Sequence, residues 1–235
     1  MGSVNLAELA IWYPAFLLSL TFHEASHAFI SSRLGDRTAA GQVTLNPIPH
    51  IRQEPVGTVL VPLVTFLLAG WTLGWASAPY DPRWANRYPK RAGMMSLAGP
   101  LANFLLAGAA LGAIWLLVAA DLLGFNAAPT RLTNFVVGSD GGATFLAQFL
   151  TVLYLLNLIL GFFNLIPVPP LDGAGVIQGL FAGSGPARAL ASLQEKGFGL
   201  MGLMLAWVLF RYLLSPLVLW IFLVGLGRIG PLVFG

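Results

Sequence analysis

The chain has 235 residues, 57% of them hydrophobic and 9% charged, with a mean hydropathy of +0.80; ordinary soluble domains carry about 25% charged residues, so this one is excluded from that class and reads as an integral membrane protein. It has no cysteine, which excludes disulfides, thiolate zinc sites and iron–sulfur clusters and leaves nitrogen and oxygen as the only ligands for any metal. The net charge of +3 and pI near 9.6 do not point to nucleic acid, because no basic cluster is interleaved with aromatics in a soluble segment; the basic residues read as topology signals.

Asn5, Leu6, Ala7 and Glu8 have the form of a capping box, so a first helix is predicted from there to Leu34, with Gly35 as C-cap and Pro14 as a kink. No Lys or Arg precedes Arg33, and Arg33, Arg37 and Arg52 follow closely, which puts the N-terminus outside. The missing basic start also argues against a signal peptide. Within this apolar run lies His23-Glu24-Ala25-Ser26-His27. Histidines at i and i+4 share one helix face and can give one metal two imidazole nitrogens, while the adjacent carboxylate can act as proton acceptor and donor, as in zinc peptidases. An ionisable residue at mid-helix in hydrocarbon costs roughly 2.5–3.5 kcal/mol, so three within five residues mark function. At 1.5 Å per residue His23 lies about 27 Å below Asn5, toward the cytoplasmic side of a ~30 Å core.

Residues 36–55 read as a loop, with Val43–Leu45 as a short strand and Pro47, Pro49 and Pro55 opposing a helix. His50 is a reserve metal ligand, but in this Pro-rich loop a solvated or hydrogen-bonded histidine is the preferred reading. Residues 56–78 are apolar, interrupted by Pro62, Gly70 and Gly74, and are followed by a basic loop 79–91. Both ends then face one side, which suggests a re-entrant segment; a full span is the alternative. Gly93 to Ala120 is a span carrying Asn103. For Asn103 a helix–helix hydrogen bond, with Gly99 allowing close packing, is the reading favoured over a supporting role in the site.

Residues 121–142 read as an extracytoplasmic loop, and Ala143 to Ile166 as the returning span, ending in Asn164-Leu-Ile-Pro-Val-Pro-Pro-Leu-Asp172-Gly173. That topology brings Asp172 to the side of His23 and His27. A polar stretch with Arg188 and Lys196 follows, and then an apolar run from Phe198 to Val224, read as two short spans in preference to one tilted one. The fold class is therefore an all-α polytopic membrane protein of about five to six membrane helices with a short β or re-entrant region after the first, forming a single domain over 1–235.

A catalytic zinc site needs three protein ligands and an open position. Position 33, where a third histidine would extend the motif, is Arg33, and Glu54 lies beyond a Pro-rich loop. Asp172 is the better third ligand: it follows a span and sits on stiff, proline-rich backbone.

The H-E-A-S-H at 23–27, A-G-P-L-A-N at 98–103 and N-L-I-P-V-P-P-L-D-G at 164–173, in this order, resemble the site-2 protease family of intramembrane zinc metalloproteases in its compact bacterial and archaeal form. The resemblance implies one Zn2+ per chain, bound by His23, His27 and Asp172, with Glu24 as general base and Asn164 steadying the oxyanion of the tetrahedral intermediate. It implies a transmembrane protein as substrate, in a multi-pass protein of a bacterial or archaeal cell membrane whose site faces the cytoplasm. Substrate helices would have to unwind, with 36–55 and 56–78 as candidates for pairing with the unwound strand. Many relatives carry a preceding helix or PDZ or CBS modules, which are not expected here. Homo-oligomerisation is left open. A non-catalytic zinc-binding transporter or scaffold is the competing reading; against it, Glu24 is intact and no paired broken segments occupy two matching halves.

Overall fold

The structure is a computed structural model that describes residues 6–227. Among these, four helices are long and apolar enough to cross a membrane: α1 (Leu6–Leu34), α5 (Pro89–Ala119), α6 (Phe145–Asn164) and a last apolar helix over Gly199–Gly225. The chain is thus an all-α polytopic membrane protein, with fewer long spans than the five or six expected. The predicted cap at Asn5 lies outside the described residues. Pro14 sits inside α1, whose last residue is Leu34, and Gly35 follows with φ +109°.

The segment after α1 departs from expectation in two ways. Val43–Leu45 forms no strand. Side chains capture the local backbone instead: Asn46 N–H donates to Thr44 Oγ1 and Ile48 N–H to Asn46 Oδ1, which closes turns where a sheet ladder would need extended backbone. The prolines start a helix rather than forbid one. In α2 (Ile48–Gln53) Pro47 is the N-cap residue and Pro49 lies in the first turn, where a missing N–H costs nothing.

Residues 56–78 double back on themselves and do not form one long helix. A π-helical turn (Val56–Leu60) leads into α3 (Val61–Ala69). Their 14 residues rise about 21 Å, short of a ~30 Å core. Gly70 ends α3 with φ +76°, a conformation open to glycine because it has no Cβ. The chain then returns without regular secondary structure, with Trp75 N–H donating to the Gly57 carbonyl at 3.1 Å and Leu73 N–H to Thr65 Oγ1 at 2.9 Å. In the basic loop, Asp81 caps a further short helix, α4 (Pro82–Arg87), by accepting from Arg83 N–H.

The core is a three-helix contact. α5 runs antiparallel to α1, as His27 meets Met95 and Ser19 meets Asn103. α6 is the central helix: 61% of its apolar window is buried, against 17% for Gly199–Gly225, which packs on one side only. Between α5 and α6, β1 (Leu123–Phe125) and β2 (Val136–Gly138) pair antiparallel with Leu123 opposite Gly138. The loop between these strands is tied to the start of α1 by an Arg131–Glu8 ion pair.

After α6 come α7 (Asp172–Leu180) and α8 (Gly185–Glu195), then α9 (Gly199–Leu209), a π-helical turn (Phe210–Leu214) and α10 (Ser215–Gly225). The run read as two short spans is one continuous 27-residue helix. Pro216 cannot donate a backbone hydrogen bond, and the widened turn just before it absorbs the defect without breaking the helix. α7 lies against α5 at very short range, because a Cβ on Gly93 or Gly179 would collide with the backbone of the other helix. Without a hydrophobic drive between helices in lipid, such small residues set how closely backbones approach, and this approach carries Asp172 to α1.

Candidate metal centre

His23 and His27 share a face of α1, and Asp172 opens α7. The fold brings these three together: Nε2 of His23 lies 3.0 Å from Nε2 of His27, and Asp172 Oδ2 lies 3.1 and 3.3 Å from them. They form the one group of candidate metal-ligating side chains among the described residues. His23 is 5% exposed and His27 7%.

Hydrogen bonding fixes both rings. His27 Nδ1–H donates to the Met95 carbonyl at 2.7 Å, and His23 Nδ1–H donates to Asn103 Oδ1 at 2.6 Å. Each Nε2 then bears a lone pair, and both lone pairs face a carboxylate oxygen that is buried and has no hydrogen-bond partner. Three electron-rich atoms facing inward repel one another unless a cation lies between them. For zinc at ~2.0–2.1 Å from each ligand, tetrahedral edges are about 3.3 Å, close to the observed separations. Two imidazoles and a carboxylate leave the fourth position open, the pattern of a catalytic zinc site rather than a structural one. The residues fit the metal.

Burial by itself would raise the Asp172 carboxyl, but with a positive charge in the cluster, as when His27 and His23 are protonated, it is held well below the usual carboxylate range. Glu24 is 4% exposed and lies within electrostatic reach of His23, His27 and Asp172 without belonging to the ligand group. That is the position of a proton acceptor beside a metal rather than of a fourth ligand.

Two other residues are placed differently from the sequence reading. Asn103 is fully buried and bonds His23 of the candidate cluster, so it holds that ring as well as the helix contact. His50 is neither a member of the cluster nor solvated. The α2 helix turns it inward, to 2% exposure, and both ring nitrogens lack partners, so burial pushes its pKa below the ordinary histidine value. Asn164 ends α6 with its amide donating to the Leu160 carbonyl at 3.0 Å, and no bond to the three ligands is found for it among the described residues.

Gly99 is part of the site's architecture. It faces the histidine pair so closely that a Cβ there would overlap Nε2 of both rings. Gly99→Ala is expected to lower zinc affinity by at least about 10–100-fold, the cost of disturbing a ligand's support, with helix content unchanged by circular dichroism. Unchanged zinc affinity in a chelator competition would contradict this placement.

The profile of peptidase family M50 matches residues 12–209. The chain is 36% identical over 208 residues to "Putative zinc metalloprotease YwhC" of Bacillus subtilis, covering 87% of this chain and 81% of that protein. It is 30% identical over 209 residues to "Putative zinc metalloprotease Rip2" of Mycolicibacterium smegmatis, covering 88% of this chain and 71% of that one. No solved structure matches the chain. A family match over most of the chain, with the cluster inside an apolar helical bundle, has one conclusion: the chain belongs to peptidase family M50, the site-2 protease family of membrane zinc metalloproteases.

Proposed function

We propose that this protein hydrolyses peptide bonds within or beside the transmembrane segments of other membrane proteins, with one zinc ion per chain held by His23, His27 and Asp172. The observation that carries the reading is the convergence of two imidazole nitrogens and an unpartnered carboxylate oxygen within 3.0–3.3 Å of one another, beside a buried Glu24, in an apolar bundle. Zinc held there supplies Lewis acidity and makes water acidic enough to ionise near neutral pH.

The protein's own groups divide the remaining work. Glu24 takes the proton of the attacking water and returns it to the leaving amide nitrogen, so one carboxylate acts as base and then acid. Asn103 and the Met95 carbonyl hold the two imidazoles with their Nε2 lone pairs inward. Asn164, whose amide nitrogen has a second N–H beyond the one given to the Leu160 carbonyl, donates to the developing oxyanion. The segment 72–81 between α3 and α4, which has no regular secondary structure of its own, receives the unwound substrate strand by backbone pairing. The site faces the cytoplasm, as the Arg33, Arg37 and Arg52 cluster after α1 suggests.

A helical substrate shields its carbonyls, so unwinding is part of the barrier. In proteoliposomes holding a single-span substrate, mass spectrometry of the products is expected to place the cut in or at the edge of the apolar segment. Replacing a substrate glycine near the cut with alanine makes the helix about 1 kcal/mol harder to unwind, which should slow cleavage about fivefold. Cuts confined to soluble loops and insensitive to such changes would contradict the proposal.

A further inference from the structure

Ser19, Asn103 and Asn157 are each fully buried, on α1, α5 and α6, and are joined in one hydrogen-bonded chain that ends on His23. The direction of every bond in it can be worked out from its far end, where only backbone carbonyls are found. Ser19 Oγ–H donates to the Ala15 carbonyl at 2.6 Å, so toward Asn157 its oxygen can only accept. The Asn157 amide nitrogen donates to that oxygen and to the Leu153 carbonyl, both at 2.8 Å. With its nitrogen pinned between two acceptors, Asn157 must turn Oδ1 toward Asn103. The Asn103 amide nitrogen donates to that Oδ1 at 2.7 Å and to the Ser19 carbonyl at 3.4 Å. Asn103 Oδ1 is therefore the atom left facing His23 Nδ1, at 2.6 Å.

An acceptor there requires Nδ1 to carry the proton, which leaves the lone pair on Nε2, the atom facing His27 and Asp172. Turning either amide over would set two acceptors or two donors against each other in a buried site, where unmatched polar groups are costly.

We propose that Asn157, anchored by Ser19 and the Leu153 carbonyl, is a positioning residue for the metal centre: it fixes which end of Asn103 meets His23, and so fixes the His23 tautomer that binds metal. Asn157 touches neither ligand nor substrate and acts wholly through Asn103. The proposal rests on the zinc reading of the site.

The test is zinc affinity of the purified full-length protein in detergent, by competition with a chromophoric chelator, with the visible spectrum of the Co2+-loaded protein as a second readout. Asn157→Leu keeps the branched shape but leaves Asn103 held only by its 3.4 Å bond to the Ser19 carbonyl, so that its nitrogen can turn to His23, and is expected to weaken zinc binding about 10–100-fold and to alter the Co2+ spectrum. Asn103→Asp placed in the Asn157→Leu background should recover most of that loss, because an aspartate presents an acceptor whichever way it turns. A packing defect at position 157 would gain nothing from it. Ser19→Ala is a milder second variant, should Asn157→Leu not fold; its loss is expected to be smaller, since the Leu153 carbonyl still holds Asn157. Wild-type zinc binding with unchanged affinity in these variants, or no recovery with Asn103→Asp, would overturn the proposal alone. A wild-type protein that binds no zinc would overturn the reading of the site and this proposal together.

Discussion

Glu24→Gln is expected to reduce peptide hydrolysis by about 10²–10⁴-fold, or about 3–5 kcal/mol of barrier, while zinc stays bound. Glutamine keeps the shape and the buried volume of Glu24 but cannot accept a proton from the attacking water. The residue stands beside the ligand group and not in it, so metal content should follow the wild type. Paired measurements of zinc content and of cleavage of a single-span substrate check both halves. Retained cleavage would remove Glu24 from the chemistry. Loss of zinc along with cleavage would assign it a ligand's part instead.

Asp172→Ala is the second large effect. Asp172 Oδ2 has no hydrogen-bond partner, and the atoms facing it are the two imidazole Nε2. Its removal should therefore weaken zinc binding by more than the about 10–100-fold that losing an outer-shell partner costs. The effect on folding should be much smaller. Asp172 lies in the first turn of α7 but is not its N-cap residue, so the loss is the helix-dipole contribution, about 0.3–1 kcal/mol. Chelator competition together with thermal unfolding separates the two quantities. A variant that unfolds in step with its loss of zinc would make Asp172 a structural residue first.

The clustering of His23, His27 and Asp172 was legible because its chemistry is local and improbable: an i, i+4 histidine pair in hydrocarbon has few bland explanations, and a proline-rich turn after a returning span confines Asp172 to one end of the bundle. The support around the ligands was less legible. Asn103 reads as a helix-packing residue until α5 is seen to run antiparallel to α1, which brings positions 23 and 103 together. Asn157 and Ser19 carried the same signal, polar residues inside spans, but sequence spacing alone does not match one helix face to another. Short-range competition misled elsewhere: Thr44 and Asn46 form turns where β-branched residues suggested a strand, and Pro49 falls in a helix's first turn, where its missing N–H does no harm. The last helix stayed whole because a π-helical turn accommodates Pro216, a local adjustment that composition does not register.

Zinc K-edge absorption spectroscopy of the purified protein, with metal content measured on the same sample, tests the central claim most directly. The account predicts one zinc per chain, four-coordinate, with nitrogen and oxygen neighbours at about 2.0–2.1 Å, two of them showing the outer scattering of imidazole; in Asp172→Ala the metal should be lost or its shell changed. A protein that binds no zinc, or binds it with an unaltered shell in Asp172→Ala, would contradict the assignment of His23, His27 and Asp172 as the ligands.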